Sequence, residues 1–112
     1  MKVVLISIYF VVATVYNALE GQTDDSPDIT ASGFKINMSD PASDRIIAVS
    51  RDLEPLGFTF GRYVKVTGAG DLDGIWRIED RMHKRWKMRI DFLVENDRKL
   101  GKWSNVKIQL IE

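Results

Sequence analysis

Short apolar and alternating runs, separated by Gly- and Asp-rich breaks, dominate the chain from Arg45 onward. Ile46-Ile47-Ala48-Val49 is a continuous apolar run, the signature of a strand covered on both faces. Tyr63-Val64-Lys65-Val66 and Ile75-Trp76-Arg77-Ile78 alternate with a period of two. So do Lys87-Met88-Arg89-Ile90-Asp91-Phe92 and Asn105-Val106-Lys107-Ile108-Gln109-Leu110. Between them stand turn signals: Met38–Asp44 with Pro41, Asp52–Gly57 with Pro55, and the Gly-rich 68–74. Asp52–Gly57 reads as a turn or one helical turn, and 91–100 carries a weak helical pattern before Gly101. Short strands at this spacing predict an all-β barrel or sandwich. A barrel removes the edges that so many short strands would expose.

The N-terminal third reads differently. After Lys2, residues 3–12 are apolar except for Ser7. Ten such residues fall short of the roughly 20 needed to span a bilayer. They fit the apolar region of a secretory signal or anchor, and equally a buried first strand rich in Val, Ile, Tyr and Phe. Residues 1–12 are thus a signal or anchor segment or a first strand, and 13–112 form one domain. Ala13–Ala18 is strand-like in both cases. Gly21–Gly33 is a long polar loop.

Composition narrows the chemistry. The 112 residues include 16 basic and 16 acidic side chains, so a global hold on nucleic acid is not expected. Basic residues concentrate after residue 50, most densely at Arg81-Met82-His83-Lys84-Arg85-Trp86-Lys87-Met88-Arg89. That run is either a solvated hairpin or a loop that steers an anionic polymer. With no cysteine and one histidine, His83, no metal site and no cofactor are expected. The turn at 68–74 lacks the Gly-Lys-Ser/Thr ending of a phosphate loop.

Three ordered stretches resemble the three-aspartate domain family, which is related to RlpA-like and expansin-like barrels and to the C-terminal domain of membrane-bound lytic transglycosylase A. They are Ala13-Thr14-Val15-Tyr16-Asn17 with Thr30-Ala31-Ser32-Gly33; Ile46–Ser50 with Leu56-Gly57 and Gly61–Val66; and Gly74–Asp80 with Arg89-Ile90-Asp91-Phe92 and Val106-Lys107-Ile108. The resemblance covers about residues 13–110. It implies a six-stranded double-psi β-barrel with long loops and at most one short helix. It also implies a monomer that acts outside the cytoplasm, or in a phage particle, on the glycan strands of peptidoglycan. Membrane contact, if any, would come only through the N-terminal segment.

Two of the family's aspartates match Asp80 and Asp91. At the first aspartate's position stands Ser50, with Asp52 two residues on, and Arg81-Met82-His83 replaces the family's Thr-Gly-Gly. In a lytic transglycosylase, a lyase, one carboxyl suffices as general acid and base, because the sugar's own primary hydroxyl attacks the anomeric carbon. A hydrolase needs a second carboxylate. Asp91 is therefore the expected acid/base and Asp80 its partner. Thr14, Tyr16, Thr30, Ser50, Asp52 and Arg81 are the candidate substrate contacts. Read without the resemblance, an Asp at a strand end is commonly a backbone acceptor, and Tyr16 fits the core as well as a sugar platform. Trp76 fits the core, and Trp103 either role. The departures at Ser50 and Arg81–His83 keep a second expectation open, a non-catalytic wall-binding module on the same barrel.

Overall fold

Six strands form where the alternation predicts them, and they close on one another. In the computed structural model, which describes residues 7–18, 28–98 and 100–111, these are β1 (Ile8–Tyr16), β2 (Ile46–Val49), β3 (Tyr63–Thr67), β4 (Gly74–Arg81), β5 (Arg89–Leu93) and β6 (Lys102–Ile111). Around the barrel the order is β1-β5-β2-β4-β3-β6. The pairs β1/β5 and β2/β4 are parallel, and the other four are antiparallel. Exchanging β1 with β4, β2 with β5 and β3 with β6 leaves every pairing unchanged. This pseudo-twofold is the double-psi arrangement, and it puts both parallel pairs beside the central β5/β2 contact.

The inward residues of each strand fill the barrel. Ala13, Ile47, Val64, Ile78, Ile90 and Ile108 are all inaccessible to solvent. Trp76 is also interior: its ring packs 4.8 Å from that of Phe92, and its indole N–H donates to the Leu72 carbonyl at 2.7 Å. Each fully buried aliphatic or Phe side chain contributes about 1.5–3 kcal/mol. Trp103 lies half-buried at the edge of this core, edge-on to Phe92.

A second, smaller cluster explains the unbroken apolar run of β2, in which all four residues are buried. Phe34, Ile36 and Met38, from the segment before β2, pack on Ile46 and Leu93 outside the barrel. Both faces of the strand are thereby covered.

Three differences from the sequence reading have local causes. The helical pattern at 91–100 yields β5 followed by a turn, with no regular helix among its described residues, because Phe92 and Leu93 are both fully buried by strand pairing. The helical content of the described residues is three 3-10 segments, Pro41–Asp44, Arg51–Leu56 and Gly70–Leu72. β6 begins three residues earlier than its alternation predicts, since Asn105 (φ 55°) forms a bulge opposite Val11/Ala13 and breaks the period. Residues 8–12 of the N-terminal apolar run belong to β1. Residues 1–6 of that run, and 21–27 of the long loop, lie outside the described residues.

Candidate active site

Strand pairing puts four residues in one row on the outer wall. Thr14 of β1 is opposite Asp91 of β5, Asp91 is opposite Ala48 of β2, and Ala48 is opposite Asp80 of β4. The two carboxylates are therefore two strands apart, roughly 10 Å at the backbone, on the same face. Ala48 between them is the smallest side chain that keeps the strand, and it leaves the floor of the row low.

Asp80 reaches this face through a bulge. Trp76 and Ile78 point inward, so a period of two would send Asp80 inward too. The β2/β4 register shifts between Ile47 and Ala48: Ile47 pairs with Ile78, but Ala48 pairs with Asp80. The extra residue, Glu79, returns Asp80 to the outside.

The two aspartates have different surroundings. Asp80 is held by three donors. Its Oδ1 accepts the backbone N–H groups of Ala31 (3.0 Å) and Arg81 (2.9 Å), and its Oδ2 accepts the Tyr16 hydroxyl at 2.9 Å. Asp91 accepts the hydroxyl of Thr14, which in turn accepts the Arg89 Nε–H at 3.4 Å. Burial is the main cause that lifts the Asp91 carboxyl from 3.8 to about 6. Arg89 pulls it down and the Asp80 charge pushes it up. The Tyr16 phenol is raised well above its ordinary value, first by burial and then by Asp80 and Asp91, so it stays a donor.

Beside Asp91 the wall opens into a cleft of about 500 Å³, lined by Thr14, Arg89, Asp91, Leu100, Gly101 and Lys102. Asp80 is outside this lining, one strand beyond Ala48. Tyr16 spans the gap by reaching from β1 to Asp80.

The other candidates build the frame. Thr30 is 6% exposed; its Oγ1 accepts the Phe34 N–H and pairs with the Ser32 hydroxyl, which fixes the turn presenting the Ala31 N–H to Asp80. Ser50 is wholly buried and exchanges hydrogen bonds with Arg89: its Oγ accepts the Arg89 N–H at 3.0 Å, and its own N–H donates to the Arg89 carbonyl at 2.9 Å. Asp52 accepts the Met88 N–H at 2.9 Å, where the backbone turns through φ 44°. Burial raises the Asp52 carboxyl, but hydrogen bonds from Ser50 and Met88 outweigh it, and the net direction is down. Ser50 and Asp52 together fix the start of β5, and so the position of Asp91. The Arg81 guanidinium is paired with Glu54 and lies over Phe60.

In the basic run, Trp86 is contacted by the guanidinium groups of Arg85 (4.9 Å) and Arg89 (4.1 Å). His83 accepts the Arg85 N–H within the same loop. No cluster of His, Asp or Glu able to hold a metal occurs among the described residues, and none of their helices is long and apolar enough to cross a membrane. Lys102 is the cleft residue that sequence reasoning missed; Arg89 entered it only as the end of the basic run. Lys102 pairs with Thr14 across β6/β1, and only the true start of β6 reveals that.

No protein-family model and no curated protein matches the sequence. The fold is similar to two solved structures of the Clavibacter michiganensis expansin. One is the apo protein (TM-score 0.55, 20% identity, 96% of this chain and 51% of that one). The other is an aspartate-to-asparagine mutant in complex with cellohexaose (TM-score 0.54, 18% identity, 94% and 50%). The chain thus spans about half the length of the expansin it resembles, and at this identity the likeness is one of fold.

Proposed function

We propose that this barrel acts on cell-wall polysaccharide outside the cytoplasm, cleaving peptidoglycan glycan strands in the manner of a lytic transglycosylase, with Asp91 as general acid and base. The observation that carries the reading is a carboxyl raised to about 6, oriented by Thr14 and opening on a sugar-sized cleft. Such a group is partly protonated near neutrality and can give its proton to the glycosidic oxygen as the bond breaks. The carboxylate left behind takes the proton of the sugar's primary hydroxyl as that oxygen closes onto the anomeric carbon. No water is consumed, and the acid is regenerated.

Asp80 supports this single-acid scheme. Three donors hold its oxygens in place, which leaves them poorly placed for nucleophilic attack. Its charge favours the protonated form of Asp91. The test is incubation with purified sacculi and mass spectrometry of the released material. Wild type is expected to release anhydro-muropeptides, and Asp91→Asn none. Folded wild type that releases nothing would overturn the enzymatic reading.

The three hydrogen bonds that engage Asp80 also favour a second reading, a non-catalytic polysaccharide-binding module. The similar expansin was solved with cellohexaose. Under this reading wild type and Asp91→Asn are retained equally on sacculi, with turnover by neither.

A further inference from the structure

The chain carries no net charge, and two cationic side chains, Arg89 and Lys102, line the cleft beside Asp91. Lys102 on β6 pairs with Thr14, and Arg89 on β5 pairs with Val12, on the two strands that flank β1, roughly 12 Å apart at the backbone. Lys102 is exposed, and among the described residues it makes no ion pair or hydrogen bond. Arg89 is held rather than free to swing. Its Nε is engaged by Thr14, its guanidinium lies over Trp86, and the residue lines the cleft. Asp91, between them, is the acidic side chain in the lining. A fixed guanidinium and a mobile ammonium on opposite sides of one opening suit a carboxylate, which each can meet with a charge-assisted hydrogen bond. A neutral glucan offers them only uncharged hydroxyl acceptors, which make weaker hydrogen bonds.

We infer that Arg89 and Lys102 form an anion subsite next to Asp91, which makes the cleft selective for carboxylate-bearing glycan over neutral polysaccharide. This rests on the proposal that the cleft binds glycan. It adds a functional coupling. Arg89 is the cation that pulls the Asp91 carboxyl down, so a substrate carboxylate that occupies Arg89 keeps the acid protonated when it is needed. Two carboxylates on peptidoglycan have this chemistry, those of the stem peptide and the lactyl group exposed when the peptide is removed.

Calorimetric titration of Asp91→Asn tests the inference without turnover. The ligands are cellohexaose and chitohexaose as neutral sugars, glycan strands stripped of peptide, and strands bearing intact peptide. At low salt at least one acidic ligand is expected to bind about tenfold more tightly than the neutral ones, and the advantage should shrink at high salt. Adding Lys102→Gln should weaken acidic binding about three- to fivefold, and by more than it weakens neutral binding. Preference for the stripped strand assigns the lactyl group, and preference for the intact strand assigns the peptide. Equal affinity for neutral and acidic ligands overturns the inference, as does indifference to Lys102→Gln or no binding to any ligand by folded protein. The sacculus digestion with wild type is read separately. Anhydro products with no acidic preference sink the subsite alone, whereas acidic preference with no product sinks the catalytic reading alone.

Discussion

Replacing Asp91 by Asn should make the protein more stable and less active. The side chain is partly buried, and its carboxyl moves from 3.8 to about 6 on folding. The folded state therefore holds this proton more tightly than the unfolded state does. Stability from Asp91 is fully present below about pH 4, and it is lost as pH rises through about 6. The loss corresponds to about 3 kcal/mol, a large share of a small domain's total. Asn has nearly the same shape, can still accept the Thr14 hydroxyl, and never ionises. Urea unfolding of both proteins from pH 4 to 8 isolates the effect, since other titrations cancel in the difference. The two curves should nearly meet at pH 4 and separate to about 3 kcal/mol in favour of Asn by pH 8. A difference that does not vary with pH, or a less stable Asn variant at pH 8, would refute the argument that burial raises this carboxyl.

If Asp91 is the acid, glycan cleavage should fall as pH rises through about 6, and Asp80→Asn should move that falling limb to lower pH by removing a charge that raises Asp91; a pH–rate profile on sacculi reads both. Tyr16→Phe leaves Asp80 Oδ2 without its hydroxyl donor and should cost about 1.5–3 kcal/mol in urea unfolding, the usual worth of a hydrogen bond to a charged group. Gly57→Ala should cost more than Gly33→Ala in thermal melts. Both positions have positive φ, but only at Gly57 would the new Cβ meet a neighbour, Leu110 Cδ1 at 2.9 Å.

How much of this could be read from the chain varies with what each residue faces. β3 and β4 have one wet face and one dry face, so their alternation is plain. β2 is dry on both faces, and its apolar run announces that without saying what covers it. The cover, Phe34, Ile36 and Met38, comes from a stretch whose Gly, Ser and Asp content reads as loop. β1 was ambiguous for a similar reason. Phe10 is 59% exposed on the outer wall, so the strand lacks the polar alternation that would separate it from an apolar leader.

The site was less legible because it is made by irregularities. Periodicity alone sends Asp80 into the core with Ile78, where an aspartate would be costly. Family resemblance picked out the residue, and the Glu79 bulge explains how it can be there. The same bulge gives the two carboxylates different surroundings. By turning Asp80 outward one strand beyond Ala48, it places its oxygens where Ala31, Arg81 and Tyr16 can donate to them. Asp91, on a regular strand and oriented by one hydroxyl, has a proton to give. Two aspartates of similar sequence context thus acquire different surroundings through one inserted residue: one is held by three donors and the other stands beside the cleft. Deleting Glu79 should therefore disturb Asp91 through the loss of its negatively charged neighbour, even though the deletion leaves the Asp91 strand untouched.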